Sequence, residues 1–345
     1  MKNIALSATL LFIAFLFACT APEPENTPVH DPMDYEKVLG APEAVVETED
    51  FPENTISGPL AYAPDVPKLN TGDVVHVRID VQHKLIEIKE GVKFWAWPFG
   101  DDVPGPVLRV KVGQRVIFKM ANRSMETIEF SPPMPHSIDF HAALVSPSDK
   151  YRSVPPGQTI TFEWVANYPG VFMYHCGTTS ILQHMVYGMV GMTIVEPKDG
   201  FPGEVDREIA LIQNEYYLKE KEDGTYMVDF DAARKKQPMF VAFNGKPAQY
   251  VQNPIKVKAG ERIRLYLLNV GPNDQSSFHI VGTLFDKVWW DGNPVNEMRG
   301  MQTVLLGASS GAIVEFTLPE PGTYPFVDHE FADVEAGAVG LFIAE

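Results

Sequence analysis

Cysteine is nearly missing from this chain: 345 residues carry only two, Cys19 and Cys176. One closes an apolar N-terminal run and the other lies deep in the sequence, so no structural disulfide is expected. Positive charge is scarce as well. Lys and Arg number 28 against 45 Asp and Glu, a net charge of −17. Phosphate binding needs a basic surface, so the balance argues against nucleic acid as a partner. It fits a soluble acidic surface and would suit a basic protein partner.

Long hydrophobic runs are also lacking, apart from one. Lys2 precedes an apolar stretch from Ile4 to Phe17 that ends in Leu-Phe-Ala-Cys. It is short for a bilayer span and resembles a bacterial lipoprotein signal, residues 1–18, cleaved before Cys19 with lipidation of that thiol. Export and a lipid anchor on a bacterial membrane, the outer membrane facing the periplasm, are expected. Residues 19–58, rich in Pro, Glu and Asp, read as a flexible tether.

What is present is concentrated in one stretch, Gly170 to Met192. It holds Cys176, His184 eight residues on and Met189 five further. A thiolate, an imidazole and a thioether suit a soft, redox-active metal. Two His and a Cys with a distant Met form the ligand set of an electron-transfer copper. The missing His is expected from MPHSIDFHAA (134–143).

Strand parity extends this to two metals. GVFMY before Cys176 reads as a strand, and neighbouring strand residues point to opposite faces. If Cys176 points into its domain, His175 points out. His136 and His141 are an odd number apart and take opposite faces; Asp139 and His141 share one. One face then gathers His136 with Cys176, His184 and Met189. The other gathers Asp139, His141 and His175, an open metal set beside a carboxylate that still needs a third protein ligand.

The chain is long enough for two domains, with 45% hydrophobic residues, 29 Pro and 26 Gly. Short alternating runs from about Val74 favour an all-β fold. The pattern then repeats: VLRVKVGQRVIFKMAN (107–122) is echoed by PIKVKAGERIRLYLLN (254–269), PGQTITFEWVANYPGVFM by SSGAIVEFTLPEPGTYPF, and YGMVGMTIVE by AGAVGLFIAE. Both halves read as one small β-domain, 59–198 and 199–345. The second copy has no Cys, carries Ala338 where Met189 stands, and keeps His279 and His329.

These motifs resemble the copper-containing nitrite reductases over roughly Val74 to Glu345: PHSIDFHAA, YHC-x7-H-x4-M, SSFHIVG with FDKV, and VDH, in that order. The resemblance implies two tandem cupredoxin-like Greek-key β-barrel domains assembled as a homotrimer. It implies a type 1 copper on His136, Cys176, His184 and Met189, where electrons enter. It implies a catalytic type 2 copper on His141 and His175 with His329 of the neighbouring subunit. Asp139 and His279 would handle protons, nitrite would be the substrate, and a c-type cytochrome or cupredoxin the small electron-donor protein. Residues 144–157 and the loop GTTSILQ depart from the family's usual pattern.

Two other readings stand beside this one. A two-domain multicopper oxidase needs many histidines in His-x-His pairs, and none occurs among the nine present. A non-catalytic cupredoxin electron carrier would explain the thiolate set but not Asp139, His141, His175 and His329 together. His30, His76 and His83 read as surface or tether residues. Trp95, Trp97, Trp289 and Trp290 read as core or interface aromatics without a further role.

Overall fold

The computed structural model describes residues 64–345. The signal-like run, Cys19, the tether, His30 and residues 59–63 lie outside the described residues. Strands dominate, with a few short helices, in an all-β tandem of cupredoxin-like domains. No helix among the described residues is long and apolar enough to cross a membrane.

The first sandwich begins with three strands. Val74–Arg78 runs parallel to Arg115–Ala121, which pairs antiparallel with Thr159–Val165. Alternation dictates their packing: Val116, Phe118 and Met120 point inward from one strand, Ile160, Phe162 and Trp164 from the next. The facing sheet is ordered Leu108–Lys111, Val190–Glu196, Gly170–His175, Asp139–Phe140. The second half repeats both sheets. Arg207–Tyr216, Arg262–Gly271 and Gly311–Thr317 match the first; Ile255–Val257, Val339–Ala344, Gly322–Asp328 and Ser276–Ile280 match the second. The likeness reaches single side chains. A Cβ on Gly191 would lie 2.1 Å from the Tyr174 ring, and one on Gly340 2.1 Å from the Phe326 ring. Only glycine lets these aromatics lie flat across the neighbouring strand.

The halves are joined by more than a linker. Val107, Val171, Met173, Val190, Met192 and Ile194 of the first pack on Ala210, Ile212, Tyr266, Leu268, Trp289 and Ile313 of the second. Val190–Glu196 is therefore buried along its whole length. Each Val, Ile or Met side chain so buried stabilises by about 1.5–3 kcal/mol. The halves also share a sheet. Lys84–Lys89 and Val92–Ala96, from the first, continue into Tyr226–Val228 and Leu218–Glu220, from the second, through the pair Tyr226 and Phe94. This covers an edge that the hairpin alone would expose.

Candidate metal centres

Parity along Gly170–His175 sends side chains to two places. Phe172, Tyr174 and then Cys176 join the first-half core, while Val171 and Met173 enter the seam between halves. His175 shares the parity of the seam residues. On the adjacent segment Ile138 and Phe140 point into the core, and Asp139 pairs across the ladder with His175.

The inward group is His136, Cys176 and His184, all buried, their ligand atoms within 4.8 Å of one another. His136 Nδ1 lies 3.2 Å from His184 Nδ1, and Cys176 Sγ lies 3.3 Å from the same nitrogen. The Ser137 backbone N–H points at the sulfur from 3.3 Å. Met189 is fully buried and held beside Cys176 by backbone: Cys176 N donates to Met189 O at 3.2 Å, and Met189 N to His184 O at 3.1 Å. Burial pushes the Cys176 thiol up, while hydrogen bonds from Ser137 and Thr178 pull it down. Burial, then the neighbouring His184 and His83, holds His136 far below an ordinary imidazole, and burial lowers His184 to about 4. Both rings are thus neutral, the form that binds metal, and a bound cation would favour the thiolate. Two neutral nitrogens and a sulfur converge without a proton for each contact. The donor set fits a copper ion.

Of two residues beside this group, one overturns the sequence reading and the other extends it. His83 is neither surface nor tether: it is 0% exposed, with Nε2 2.9 Å from His136 Nε2. Burial, and then the His184 charge, push it to about 4. Trp97 is a core aromatic as expected, but it also walls the group. It stacks on Tyr187 at 3.9 Å and on His83 at 4.9 Å, and stands edge-on to His136 and His184. His76 lies half-buried on Val74–Arg78. Trp95 stacks on Phe130, Trp289 is buried in the seam and Trp290 packs against the second-half core.

The outward group is Asp139, His141 and His175. His141 Nε2 and His175 Nε2 lie 3.1 Å apart. His175 Nδ1 faces the Cys176 carbonyl oxygen at 2.9 Å; an oxygen there only accepts, so Nδ1 carries the proton and Nε2 offers a lone pair. A proton or a metal ion must lie between the two rings, and the pair fits copper. The Asp139 carboxylate is 3.7 Å from His175 Nε2. Desolvation, then His175, lowers His141, with Asp139 opposing. His141 is exposed, so the group opens outward.

His329 does not join this group within the chain. It is exposed, anchored by its N–H to Ser277 O at 2.8 Å, with its ring 5.4 Å from that of His279. His279 donates from Nδ1 to Gln302 O at 2.6 Å, which leaves Nε2 as an acceptor.

Comparison with known proteins points the same way. Multicopper oxidase family models match residues 80–200 and again 207–341. The copper-containing nitrite reductase of Neisseria gonorrhoeae is 35% identical over the whole of this chain and 88% of its own. That of Neisseria meningitidis serogroup A is 37% identical over 84% of this chain and 75% of its own. Among solved structures, a copper nitrite reductase from Nitrosomonas europaea superposes with a TM-score of 0.70 at 34% identity, covering 78% of this chain and 94% of that one. By sequence over its full length and by fold over most of it, the chain belongs to the family of copper-containing nitrite reductases.

Proposed function

We infer that the protein is a copper-dependent nitrite reductase: nitrite, two protons and one electron give nitric oxide and water. The observation that carries this reading is the dipeptide His175–Cys176. Cys176 belongs to the buried thiolate group and His175 to the open imidazole group, so one peptide links an electron-accepting centre to a substrate-binding one. In this reading Cys176, His136, His184 and Met189 hold a type 1 copper. His141 and His175, with His329 of a neighbouring subunit in a homotrimer, hold a type 2 copper. Bound copper supplies the one-electron change and the positive charge that attracts the anion.

The chain's own residues supply the rest. Neutral imidazoles leave the charge of the open site uncompensated, which favours an anion over water. Breaking an N–O bond requires protonation of the leaving oxygen, and Asp139, beside the His175 and His141 nitrogens, is positioned to deliver that proton. His279, with Nε2 free to accept, has the matching role from the neighbour. An electron carrier alone would not need the Asp139–His141–His175 group.

The same reading places the domain boundary after Lys198, takes residues 1–18 as an export signal with Cys19 as a lipid anchor, and takes a c-type cytochrome or cupredoxin as the electron donor. The composition of the N-terminal segment supports the export signal and the anchor at Cys19. The test is nitrite reduction with a reduced dye on copper-loaded protein lacking residues 1–19, with metal analysis and size measurement alongside. Nitric oxide, two coppers per chain and a three-chain particle are expected. One copper per chain without turnover would favour the carrier. A monomer keeping both coppers and full turnover would show that His329 acts within its own chain.

A further inference from the structure

Both ring nitrogens of buried His83 are engaged. Nε2 lies 2.9 Å from His136 Nε2, and Nδ1 lies 2.8 Å from Ser131 Oγ. The ring stacks on Trp97 at 4.9 Å and 17°, and Trp97 Nε1 donates to the same Ser131 oxygen at 3.3 Å. His136 turns its other nitrogen, Nδ1, toward His184 Nδ1 and the thiolate group.

Two facing imidazole nitrogens at this distance share one proton, and only two orders exist. If His83 carries it and donates, His136 holds its own proton on Nδ1, the nitrogen that faces the metal group, and cannot bind there. If His136 carries it on Nε2 and donates to His83, Nδ1 is left with a free lone pair. His83 then carries its proton on Nδ1 and donates to Ser131 Oγ. That oxygen accepts from both His83 and Trp97, within the capacity of a hydroxyl. Of the two orders, only this one turns a free lone pair of His136 toward His184 Nδ1 and the Cys176 group.

We propose that His83 is a positioning residue for the thiolate copper site. By accepting the Nε2 proton of His136, it locks the tautomer that offers Nδ1 to the metal and makes that imidazole a stronger donor. The proposal rests on the type 1 reading of His136, Cys176, His184 and Met189. A partner that accepts from a ligating imidazole raises its basicity, and its loss typically costs about 10–100-fold in metal affinity or activity. A stronger donor favours the oxidised ion, so losing the bond weakens binding of Cu(II) more than of Cu(I). A tenfold difference between the two corresponds to about 59 mV for one electron.

The experiment is a redox titration of the copper-loaded protein, followed by the thiolate-to-copper absorption, with copper content measured on the same samples. His83→Leu should raise the midpoint potential by the equivalent of roughly tenfold and move the absorption band. His83→Gln, whose amide oxygen can accept from His136, should return most of the way to wild type. Ser131→Ala, which leaves the ring stack intact, should shift the potential in the same direction by less. Equal shifts in His83→Leu and His83→Gln would assign the effect to packing against Trp97 and overturn the proposal. So would unchanged potentials in all three. If His83→Leu does not fold, His83→Gln and Ser131→Ala decide: a wild-type potential in Ser131→Ala overturns it. A wild-type protein lacking the thiolate absorption would instead overturn the type 1 reading itself.

Discussion

In the first half of the chain Cys176 N donates to Met189 O and Met189 N to His184 O; in the second, Asp328 N donates to Ala338 O at 3.1 Å and Ala338 N to Asp333 O at 2.8 Å. Ser137 N points at Cys176 Sγ, and Ser277 N at Asp328 Oδ1 at 2.8 Å. His136 bridges to Val154 as Ser276 pairs with Leu306, and Asn122 and Asn269 each tie down the carbonyl of that partner. Cys176, His184, Met189 and His136 thus stand where Asp328, Asp333, Ala338 and Ser276 stand. In the second half the cavity holds a hydrogen-bonded chain instead: Ser276 Oγ donates to Gln213 Oε1 at 2.7 Å, and Gln213 Nε2 to Asp328 Oδ2 at 2.6 Å. One backbone frame serves a soft metal or a buried carboxylate, and side-chain chemistry alone decides which. Asp139 and His279 also share a register position, opposite His175 and Val327.

Removing the thiol breaks the comparison most severely. Cys176→Ala should abolish the strong visible absorption, which requires a copper–thiolate bond. Copper should fall from two ions to one per chain and donor-driven turnover to background. Colour that survives the substitution would sink the assignment.

Asp139→Asn tests the outward group without touching a proposed ligand. The amide keeps the size and some hydrogen bonding but cannot exchange a proton near neutral pH. Both coppers should remain while nitrite turnover falls by roughly 10²-fold or more. Loss of copper would make Asp139 a ligand or prop; full turnover would send the protons by another route.

Much of this was legible because it is local. A strand's period of two separates His175 from Cys176 and groups His136 with Cys176, and the structure places these residues in two distinct groups. The repeat revealed Ala338 in the place of Met189. What escaped depended on distant partners. His83 is buried by Trp97 and Ser131, and no local run predicts that contact, yet a signal was present: Val75, Val77, Ile79 and Val81 are all buried, and His83 continues their parity. The sheet shared by Val92–Ala96 and Tyr226–Val228 joins strands from different halves, which no local pattern announces. The match of Cys176 to Asp328 shows only when the backbone bonds are laid side by side.

Asp328 is fully buried and accepts from Ser277 N, Glu330 N at 3.1 Å and Gln213 Nε2. Asp328→Ala strands these donors, and a buried donor left unpaired costs about 1–3 kcal/mol. Stability to urea should fall by at least about 2 kcal/mol, and Asp328→Asn, which keeps an acceptor, should lose less. If Asp328→Ala unfolds at the wild-type midpoint, the second cavity is not held by this network.

The last comparison sets His184 against Asp333, which share a backbone position. Burial pushes the base down to about 4 and the acid up to about 7, each toward its uncharged form. For Asp333 the nearby charges of Asp328, Glu330, Asp274 and Glu215 add to burial. Glu215, also raised to about 7, chiefly by burial, responds in the same sense. A carboxyl with a raised folded pKa binds its proton more tightly in the folded state. Its stabilisation is complete below the unfolded value near 4 and is lost as the pH climbs through about 7. Asp333→Asn carries no such proton. Measured by urea unfolding across that window, the variant should gain stability relative to wild type from pH 4 to 7 and hold a constant offset above it. Adding Glu215→Gln should enlarge the gain. A difference between wild type and Asp333→Asn that stays flat over the whole range would mean that Asp333 is ionised in the folded protein at ordinary pH, and that burial treats the two positions differently after all.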